Sequence, residues 1–307
     1  MRKDELSQYI KLTIKEAGFD FAGIAKAEKL DDEARLLDKW LSLKYHGTME
    51  YMQNWFDKRI DPRLLVPGAK SVICMLYNYA PESSLPDDSY HIASYAYGTD
   101  YHKVIKKKLA TVIEALQAKI GQFEARIFVD SAPVMERTWA VRSGLGWQGK
   151  NTLLINKQQG SYFFIATIIC DLLLDYDAPF AANHCGTCTR CIDACPTQAI
   201  VGNNILDASK CISYLTIERK EDIPDSYKGK MKDWIFGCDI CQQVCPWNSF
   251  AKAHQEPAFY PSEALKTMKK SEWQELTEDV FNIIFKNSPL KRSKWKGLRR
   301  NIDFIDY

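Results

Sequence analysis

The sequence predicts an α/β (α+β) protein, in which a mixed N-terminal domain precedes a small cysteine-rich domain. Three observations lead to this prediction. Apolar runs of strand character alternate with amphipathic helices through the first 180 residues. Eight of the ten cysteines then lie between residues 185 and 245. Beyond Trp247 the chain is polar and has helical periodicity.

The first elements alternate between helix and strand. Residues 4–17 repeat apolar side chains at helical spacing and end before Gly18, which predicts an amphipathic helix. Residues 19–25 are a short apolar run typical of a strand, and residues 31–44 form a second helix. Residues 71–79, SVICMLYNY, are so apolar that they predict a central strand.

The pattern continues up to the cysteines. A long helix is predicted to end at Ile120, and a helix over 133–142 follows a strand over 126–129. Two more strands are predicted at 153–156 and 162–174. We therefore place domain boundaries so that the three parts are residues 1–180, 181–255 and a short helical segment, 256–307.

The cysteine spacing predicts two iron–sulfur clusters. The run HCGTCTRCIDACP at 184–196 matches C-x₂-C-x₂-C-x₃-C-P, and residues 238–246 repeat the end of that pattern. Because the last cysteine of such a run ligates the other cluster in two-cluster ferredoxins, the ligand sets are crossed. Cluster one is predicted on Cys185, Cys188, Cys191 and Cys245, and cluster two on Cys195, Cys211, Cys238 and Cys241.

Two other uses of these cysteines stay open from the sequence. Zinc sites commonly use separated C-x₂-C pairs, which fit three overlapping spacings poorly. The N-terminus is charged and has no apolar run or membrane span, which points to the cytosol. Disulfides are rare in that compartment. Cys74 and Cys170 lie in apolar runs and are predicted to be buried core thiols.

Nucleic-acid binding is predicted to be local. The formal charge of the 307 residues is only +2, so no global basic surface exists. Residues 289–300 carry six positive charges and one tryptophan, which suit a phosphate backbone and a stacked base. The alternative is a solvated basic tail.

Three segments are candidates for chemistry. The GLGWQGKN turn at 144–151 matches G-x-G-x-x-G, but a helix precedes it and a strand follows, so we do not predict nucleotide binding. Residues 100–102, DYH, match the start of the D-x-H-x-x-G signature of cobalamin proteins that use a histidine ligand, but Ile105 stands in place of the glycine. We therefore interpret His102 as a helix-start residue satisfied by its neighbours rather than as a cobalt ligand. Asp130 follows a strand and is either a proton donor or the N-cap of the helix at 133–142.

Several separated motifs together resemble the epoxyqueuosine reductases of tRNA modification. Besides both cysteine sets, the motifs are DPR at 61–63, PGAKS at 67–71, GTDYH at 98–102, DSAPVMER at 130–137, GLGWQGKN at 144–151 and PLKR at 289–292. The resemblance implies a nitroreductase-like cobalamin-binding domain followed by a ferredoxin-like domain with two [4Fe–4S] clusters. It also implies a relation to reductive dehalogenases.

The resemblance further implies an oxidoreductase that converts epoxyqueuosine to queuosine at the wobble position of tRNA. Cobalamin would be bound base-off, without a protein ligand to cobalt, and Asp130 would be the proton donor. The residues expected at the cofactor are Arg59, Asp130, Arg137, Leu154, Ile165, Ser213 and Asp239. For Arg137 the alternative is a salt bridge on the helix surface.

The expected partners are tRNA and a low-potential electron donor such as flavodoxin or ferredoxin, with no membrane. We expect a cytoplasmic monomer. Residues expected at the anticodon loop are Arg219, Lys228, Lys230, Lys291 and Arg292, although a solvated charged loop remains an alternative for the residues between the cysteines. Family members that continue into HEAT-like repeats have a larger tRNA surface than this chain is expected to offer.

Two other functions compete with this prediction. A plain two-cluster electron carrier would not need a 180-residue α/β domain or Asp130. A small-molecule reductive dehalogenase is typically exported with a twin-arginine signal, and residues 1–4, MRKD, do not form one.

Overall fold

The computed structural model describes residues 1–306. Its helices are α1 (Lys3–Glu16), α2 (Asp31–Ser42), α3 (Phe56–Ile60), α4 (Tyr101–Ile120), α5 (Glu136–Arg142), α6 (Arg190–Asp193), α7 (Ile212–Ile217), α8 (Ile240–Gln243), α9 (Glu263–Thr267), α10 (Lys270–Glu275), α11 (Glu278–Ile284) and α12 (Lys294–Asp306). Its strands are β1 (Phe21–Lys26), β2 (Ser71–Asn78), β3 (His91–Ile92), β4 (Ala125–Phe128), β5 (Trp147–Gln148), β6 (Leu154–Ile155), β7 (Phe163–Cys170), β8 (Ile200–Gly202), β9 (Ile205–Leu206) and β10 (Trp234–Phe236).

The main sheet has the strand order β1-β2-β7-β4, and every neighbouring pair is antiparallel. The central pair is in register over eight residues, from Ser71 opposite Cys170 to Asn78 opposite Phe163. An antiparallel sheet covered by helices is an α+β arrangement rather than one built from parallel βαβ units. The four main strands are therefore confirmed, with ends a few residues shorter than predicted for β7.

The side chains on the two faces of β2 pack into two separate hydrophobic cores. Ile73, Met75 and Tyr77 pack with α1 and α4 on one face. Cys74 and Leu76 pack on the other face, with α5 and the segment before β2. Successive side chains of a strand alternate between faces, so a strand buried on both sides must be apolar throughout. Cys74 in β2 and Cys170 in β7 are both fully buried, as predicted.

The C-terminal segment is packed rather than merely polar and solvated. Trp273, Phe281 and Leu298 are at most 1% exposed and share a hydrophobic cluster with Tyr90 and Phe236. Strand β3 also pairs in parallel with β10. The predicted helical segment thus shares a core with residues of both earlier parts, and the domain boundaries stay a prediction. No helix within residues 1–306 is long and apolar enough to cross a membrane.

Candidate active site and cluster centres

Asp130 stands two residues beyond the end of β4, in a left-handed backbone conformation with φ +54°. Aspartate tolerates this conformation better than most residues. Both carboxylate oxygens of Glu136 accept the Asp130 N–H, at 3.1 and 2.9 Å. The Asp130 side chain is 67% exposed and therefore accessible to a substrate. The N-cap alternative is wrong, because α5 begins at Glu136 with Met135 as its N-cap.

Tyr101 positions the Asp130 carboxylate. Its hydroxyl lies 2.5 Å from Asp130 Oδ2. Its ring is buried and stacked on Phe164, with centroids 4.1 Å apart and planes 7° apart. Burial, followed by the negative charge of Asp130, raises the pKa of Tyr101 well above its usual value. The hydroxyl therefore stays protonated over the physiological pH range and donates a hydrogen bond to Asp130.

His102 lies between two carboxylates. Asp100 caps α4 by accepting the His102 N–H at 3.0 Å, and its Oδ1 lies 2.8 Å from His102 Nδ1. The other ring nitrogen, Nε2, is 3.9 Å from Asp130 Oδ2. Burial opposes ionisation of Asp100, but the hydrogen bonds from His102 outweigh it and lower the Asp100 pKa. His102 is thus held by neighbours at a helix start, as predicted.

Glu136 is the second carboxyl group beside Asp130. Burial, followed by the negative charge of Asp130, raises the pKa of Glu136 well above its usual value. Two acidic groups this close do not ionise independently. The sequence reading missed both Glu136 and Tyr101 as parts of the site, although both lie inside the motifs that carry the resemblance.

Arg59 offers the clearest fit to a bound cofactor. It is 9% exposed, and its Nη2 donates to the Tyr51 carbonyl oxygen at 2.9 Å. Its Nε is buried without a hydrogen-bond partner in the described chain. An unpaired buried guanidinium N–H is costly, and an acceptor on a ligand would satisfy it. A cofactor with many amide oxygens suits this position.

Arg137 also suits a cofactor cleft. Its Nη1 donates to the carbonyl oxygen and the hydroxyl of Thr152, at 2.7 and 3.2 Å. The residue is exposed at the surface, and desolvation by its surroundings lowers its pKa. It bonds Thr152 rather than a carboxylate, so the predicted alternative of a surface salt bridge is wrong.

The other expected cofactor residues are spread over three elements. Leu154 is buried in β6, Ile165 is half-buried in β7, and Ser213 is half-buried in α7 next to Cys211. Asp239 is buried beside Cys238, and one oxygen accepts both the N–H and the hydroxyl of Ser94 at 2.7 Å. Burial raises the pKa of Asp239. Asp239 therefore connects the loop that follows β10 to the segment around Ser94 through hydrogen bonds.

The expected tRNA residues fall into two places. Arg292 Nε pairs with Glu218 Oε1 at 2.8 Å. Burial raises the pKa of Tyr51 to about 12, and the charges of Glu218, Arg292 and Asp130 act on the same hydroxyl. Arg292 and Asp130 are therefore both near enough for their charges to act on the Tyr51 hydroxyl. This relationship links the basic end of the chain to the candidate proton donor.

A separate groove of about 590 Å³ contains Lys228. Basic and aromatic residues of α12 line it together with carboxylates: Trp295, Lys296, Arg299, Arg300, Phe304, Asp222, Asp225 and Asp303. The remaining candidates make local contacts. Arg219 donates to the Asp222 carbonyl oxygen, Lys230 lies 6.0 Å from the Tyr227 ring and Lys291 lies 5.3 Å from the Phe281 ring.

Four cysteines converge at the predicted position of cluster one. Cys185, Cys188, Cys191 and Cys245 all line one cavity of about 410 Å³. Cys245 comes from the second motif by sequence, so the crossed ligand set is what the fold brings together. A cavity ringed by four thiols from two short loops fits a [4Fe–4S] cube.

The other four cysteines form a deeper group. Burial raises the pKa of Cys238, and the charges of Cys211 and Cys195 raise it further. Burial and the charges of Cys211 and Cys238 act in the same way on Cys241. All ten cysteines are free thiols, which contradicts the disulfide alternative. No His, Cys, Asp and Glu set within residues 1–306 is compact enough for a single metal ion, whereas a cube spreads its ligands more widely.

The glycine turn joins the two halves of the molecule. Gly146 admits no side chain, because a Cβ there would lie 2.1 Å from the Ile155 carbonyl oxygen. The turn forms a hairpin in which β5 pairs with β6, so a strand rather than a helix follows it, as predicted. The hairpin delivers Lys150 and Asn151 to the cluster-one cavity.

Comparison with known proteins identifies the family. Residues 59–131 match the family model "Epoxyqueuosine reductase QueG, DUF1730", and residues 184–248 match the "4Fe-4S double cluster binding domain". An epoxyqueuosine reductase of Cyclobacterium marinum is 57% identical, over 97% of this chain and 96% of its own length. The chain belongs to the epoxyqueuosine reductase family. The predicted family and oxidoreductase class are thereby confirmed.

Other members of the family are similar over nearly the whole chain. The enzyme of Leadbetterella byssophila is 56% identical over 98% of both chains. That of Pseudomonas aeruginosa is 42% identical over 97% of this chain and 84% of its own. The two-cluster prediction is confirmed by the match to the double-cluster domain.

Solved structures of the family share the fold. A selenomethionine-labelled epoxyqueuosine reductase superposes with a TM-score of 0.89 at 28% identity, covering 97% of this chain and 81% of its own. A second, solved with an epoxyqueuosine-modified tRNA-Tyr stem loop, has a TM-score of 0.88 at 29% identity, covering 98% and 79%. A reductive dehalogenase with a TM-score of 0.50, covering 98% of this chain and 38% of its own at 17% identity, shares the fold alone.

Proposed function

We propose that this protein reduces epoxyqueuosine at the wobble position of tRNA to queuosine, using base-off cobalamin and two [4Fe–4S] clusters. The observation that carries the proposal is the Asp130 carboxyl group, which is exposed and bonded to Tyr101, in a chain of the epoxyqueuosine reductase family. The reaction removes one oxygen and consumes two electrons and two protons, so that the products are queuosine and water.

The cleft supports cobalamin through the residues that face it. Arg59 would bond a side-chain amide of the cofactor through its unpaired Nε, and Arg137 would bond another through its guanidinium group. Leu154, Ile165, Ser213 and Asp239 complete the proposed contacts. When bound, cobalamin and the clusters supply the low-potential electrons, while the protein supplies orientation and the proton.

Asp130 donates the proton to the oxygen that leaves the epoxide. Tyr101 orients the carboxyl group through its hydroxyl, and the Glu136 carboxylate fixes the Asp130 backbone. The His102 ring lies beside Asp130, with Nε2 3.9 Å from Oδ2. A Bacillus subtilis epoxyqueuosine reductase has been solved with its catalytic aspartate loop swung out of the active site. We propose that the loop carrying Asp130 is the catalytic loop of this protein.

The anticodon loop would approach along the surface that ends at Arg292. The wobble nucleotide has to leave the stack to reach a buried cofactor, and cations near the cleft hold its phosphates. The charges of Arg292 and Asp130 both act on Tyr51, and the Lys228 groove supplies further cations and the Trp295 ring, although carboxylates also line it. Arg219, Lys230 and Lys291 would extend this surface.

The electron donor would dock at cluster one. The cavity around Cys185 is lined by two cations, Lys150 and Arg190, and by no carboxylate. Phe250, at 54% exposed, stands at the same cavity. An acidic low-potential carrier of the flavodoxin or ferredoxin type complements this face.

We further propose that the enzyme acts as a monomer in the cytoplasm, where its tRNA substrate is found.

The decisive experiment uses the anaerobically reconstituted protein. It is incubated with epoxyqueuosine-containing tRNA, cobalamin and a low-potential reductant, and the nucleosides are analysed by mass spectrometry. Formation of queuosine that depends on cobalamin supports the proposal. A plain electron carrier would neither retain cobalamin nor form queuosine, and either result would overturn it.

A further inference from the structure

The glycine turn reaches the backbone of both cluster loops. Lys150 Nζ donates to the carbonyl oxygens of Gly186 and Cys188, at 2.9 and 3.0 Å. The next residue, Asn151, donates through Nδ2 to the carbonyl oxygen of Cys241, at 3.2 Å. Cys188 belongs to the cluster-one set and Cys241 to the cluster-two set. Two consecutive side chains therefore bridge the two cluster-binding loops.

These two contacts differ in charge. The ammonium group of Lys150 is a full positive charge beside the cluster-one loop, whereas Asn151 brings only a neutral amide to the cluster-two loop. Lys150 is half-buried and makes no ion pair in the described chain, so its charge is neither fully screened by water nor cancelled by a carboxylate. The charge of Lys150 is therefore held against the loop that carries the cluster-one ligand Cys188, whereas the Cys241 loop receives only a neutral contact.

A nearby positive charge favours the reduced form of a cluster, because reduction by one electron adds a negative charge to it. Net charge and hydrogen bonding are among the factors that set iron–sulfur potentials. We propose that Lys150 raises the reduction potential of cluster one relative to cluster two and so makes cluster one the acceptor of electrons from the external donor. Lys150 is a positioning and tuning residue, since it contacts the cluster loop rather than the substrate.

The test separates charge from hydrogen bonding. Lys150→Gln removes the charge and keeps a donor, Lys150→Arg keeps the charge, and Lys157→Gln removes an exposed lysine from the neighbouring turn. Each variant is reconstituted anaerobically without tRNA or cobalamin, its iron is counted, and its clusters are titrated by EPR at controlled potentials. This readout does not depend on the proposed reaction with tRNA.

In Lys150→Gln the ratio of reduced to oxidised cluster one is expected to fall about tenfold at a fixed potential, which corresponds to about 59 mV for one electron. Cluster two is expected to shift less, Lys150→Arg to restore the ratio and Lys157→Gln to leave it unchanged. The proposal is overturned if both clusters keep their potentials in Lys150→Gln or shift equally. It is also overturned if that variant lacks the iron of cluster one, because Lys150 would then serve assembly.

Discussion

The Tyr101 hydroxyl lies 2.5 Å from Asp130 Oδ2, so a buried tyrosine holds the exposed carboxylate of the candidate active site. The two residues are 29 positions apart. Tyr101 begins α4, and Asp130 follows β4, which pairs with the sheet beneath that helix. The contact is therefore made by the fold and is rigid on the tyrosine side, where Phe164 stacks on the ring.

Replacing Tyr101 by Phe is expected to slow turnover roughly tenfold, because Asp130 then samples orientations from which it does not reach the epoxide oxygen. The ring and its stacking on Phe164 remain, so the fold and the clusters should be intact. Single-turnover rates at saturating tRNA measure the effect, with Tyr176→Phe as the control for a half-buried tyrosine whose hydroxyl bonds a backbone carbonyl oxygen. An unchanged rate would remove Tyr101 from the site.

Removing the proton donor itself should cost more. Asp130→Asn is expected to slow turnover about 10²-fold or more, the usual scale of general-acid loss, while cobalamin and iron contents stay normal. The matched control is Asp32→Asn, whose carboxylate is 84% exposed at the surface. Queuosine formation at near wild-type rate in Asp130→Asn would show that another group delivers the proton.

The crossed cysteine sets predict which cluster each variant loses. Cys245→Ala should lose cluster one, whose cavity Cys245 lines, and Cys195→Ala should lose cluster two. The control is Cys170→Ala, which removes a buried core thiol and should retain both clusters. Iron counting and EPR distinguish the clusters. Loss of cluster two in Cys245→Ala would mean that each motif supplies one complete ligand set.

Local spacing explains why the cysteines were predictable and the contacts between segments were not. Cys185, Cys188 and Cys191 are set by their own loop, so their spacing alone identifies them. The Tyr101–Asp130 contact depends on strand order, and the start of α5 depends on the left-handed conformation at Asp130. Periodicity does not encode either feature, which is why the helix predicted from residue 133 begins at Glu136.

The C-terminal helix shows the same limit. A run of basic residues over 289–300 predicted either a phosphate-binding surface or a solvated tail. In the structure, Leu298 and Ile302 are fully buried, and Asn301 donates to the carbonyl oxygens of Thr216 and Ile235 at 2.8 Å. Helix α12 is therefore anchored to the cluster domain. Its partners lie more than 60 residues away in sequence, so no local pattern reveals them.

Arg292 gives the sharpest test of the tRNA surface. Its side chain is 57% exposed and its Nε is held by Glu218, so the guanidinium group is already fixed in orientation. Arg292→Ala is expected to weaken binding of an anticodon stem loop and to reduce the salt slope by about one, as for the loss of one phosphate contact. Fluorescence anisotropy at several salt concentrations measures both quantities. The control is Lys15→Ala on the exposed side of α1, far along the chain from this surface. If Arg292→Ala and Lys15→Ala give the same affinity and slope as the wild type, the RNA approaches by another face, and the Lys228 groove becomes the next surface to test.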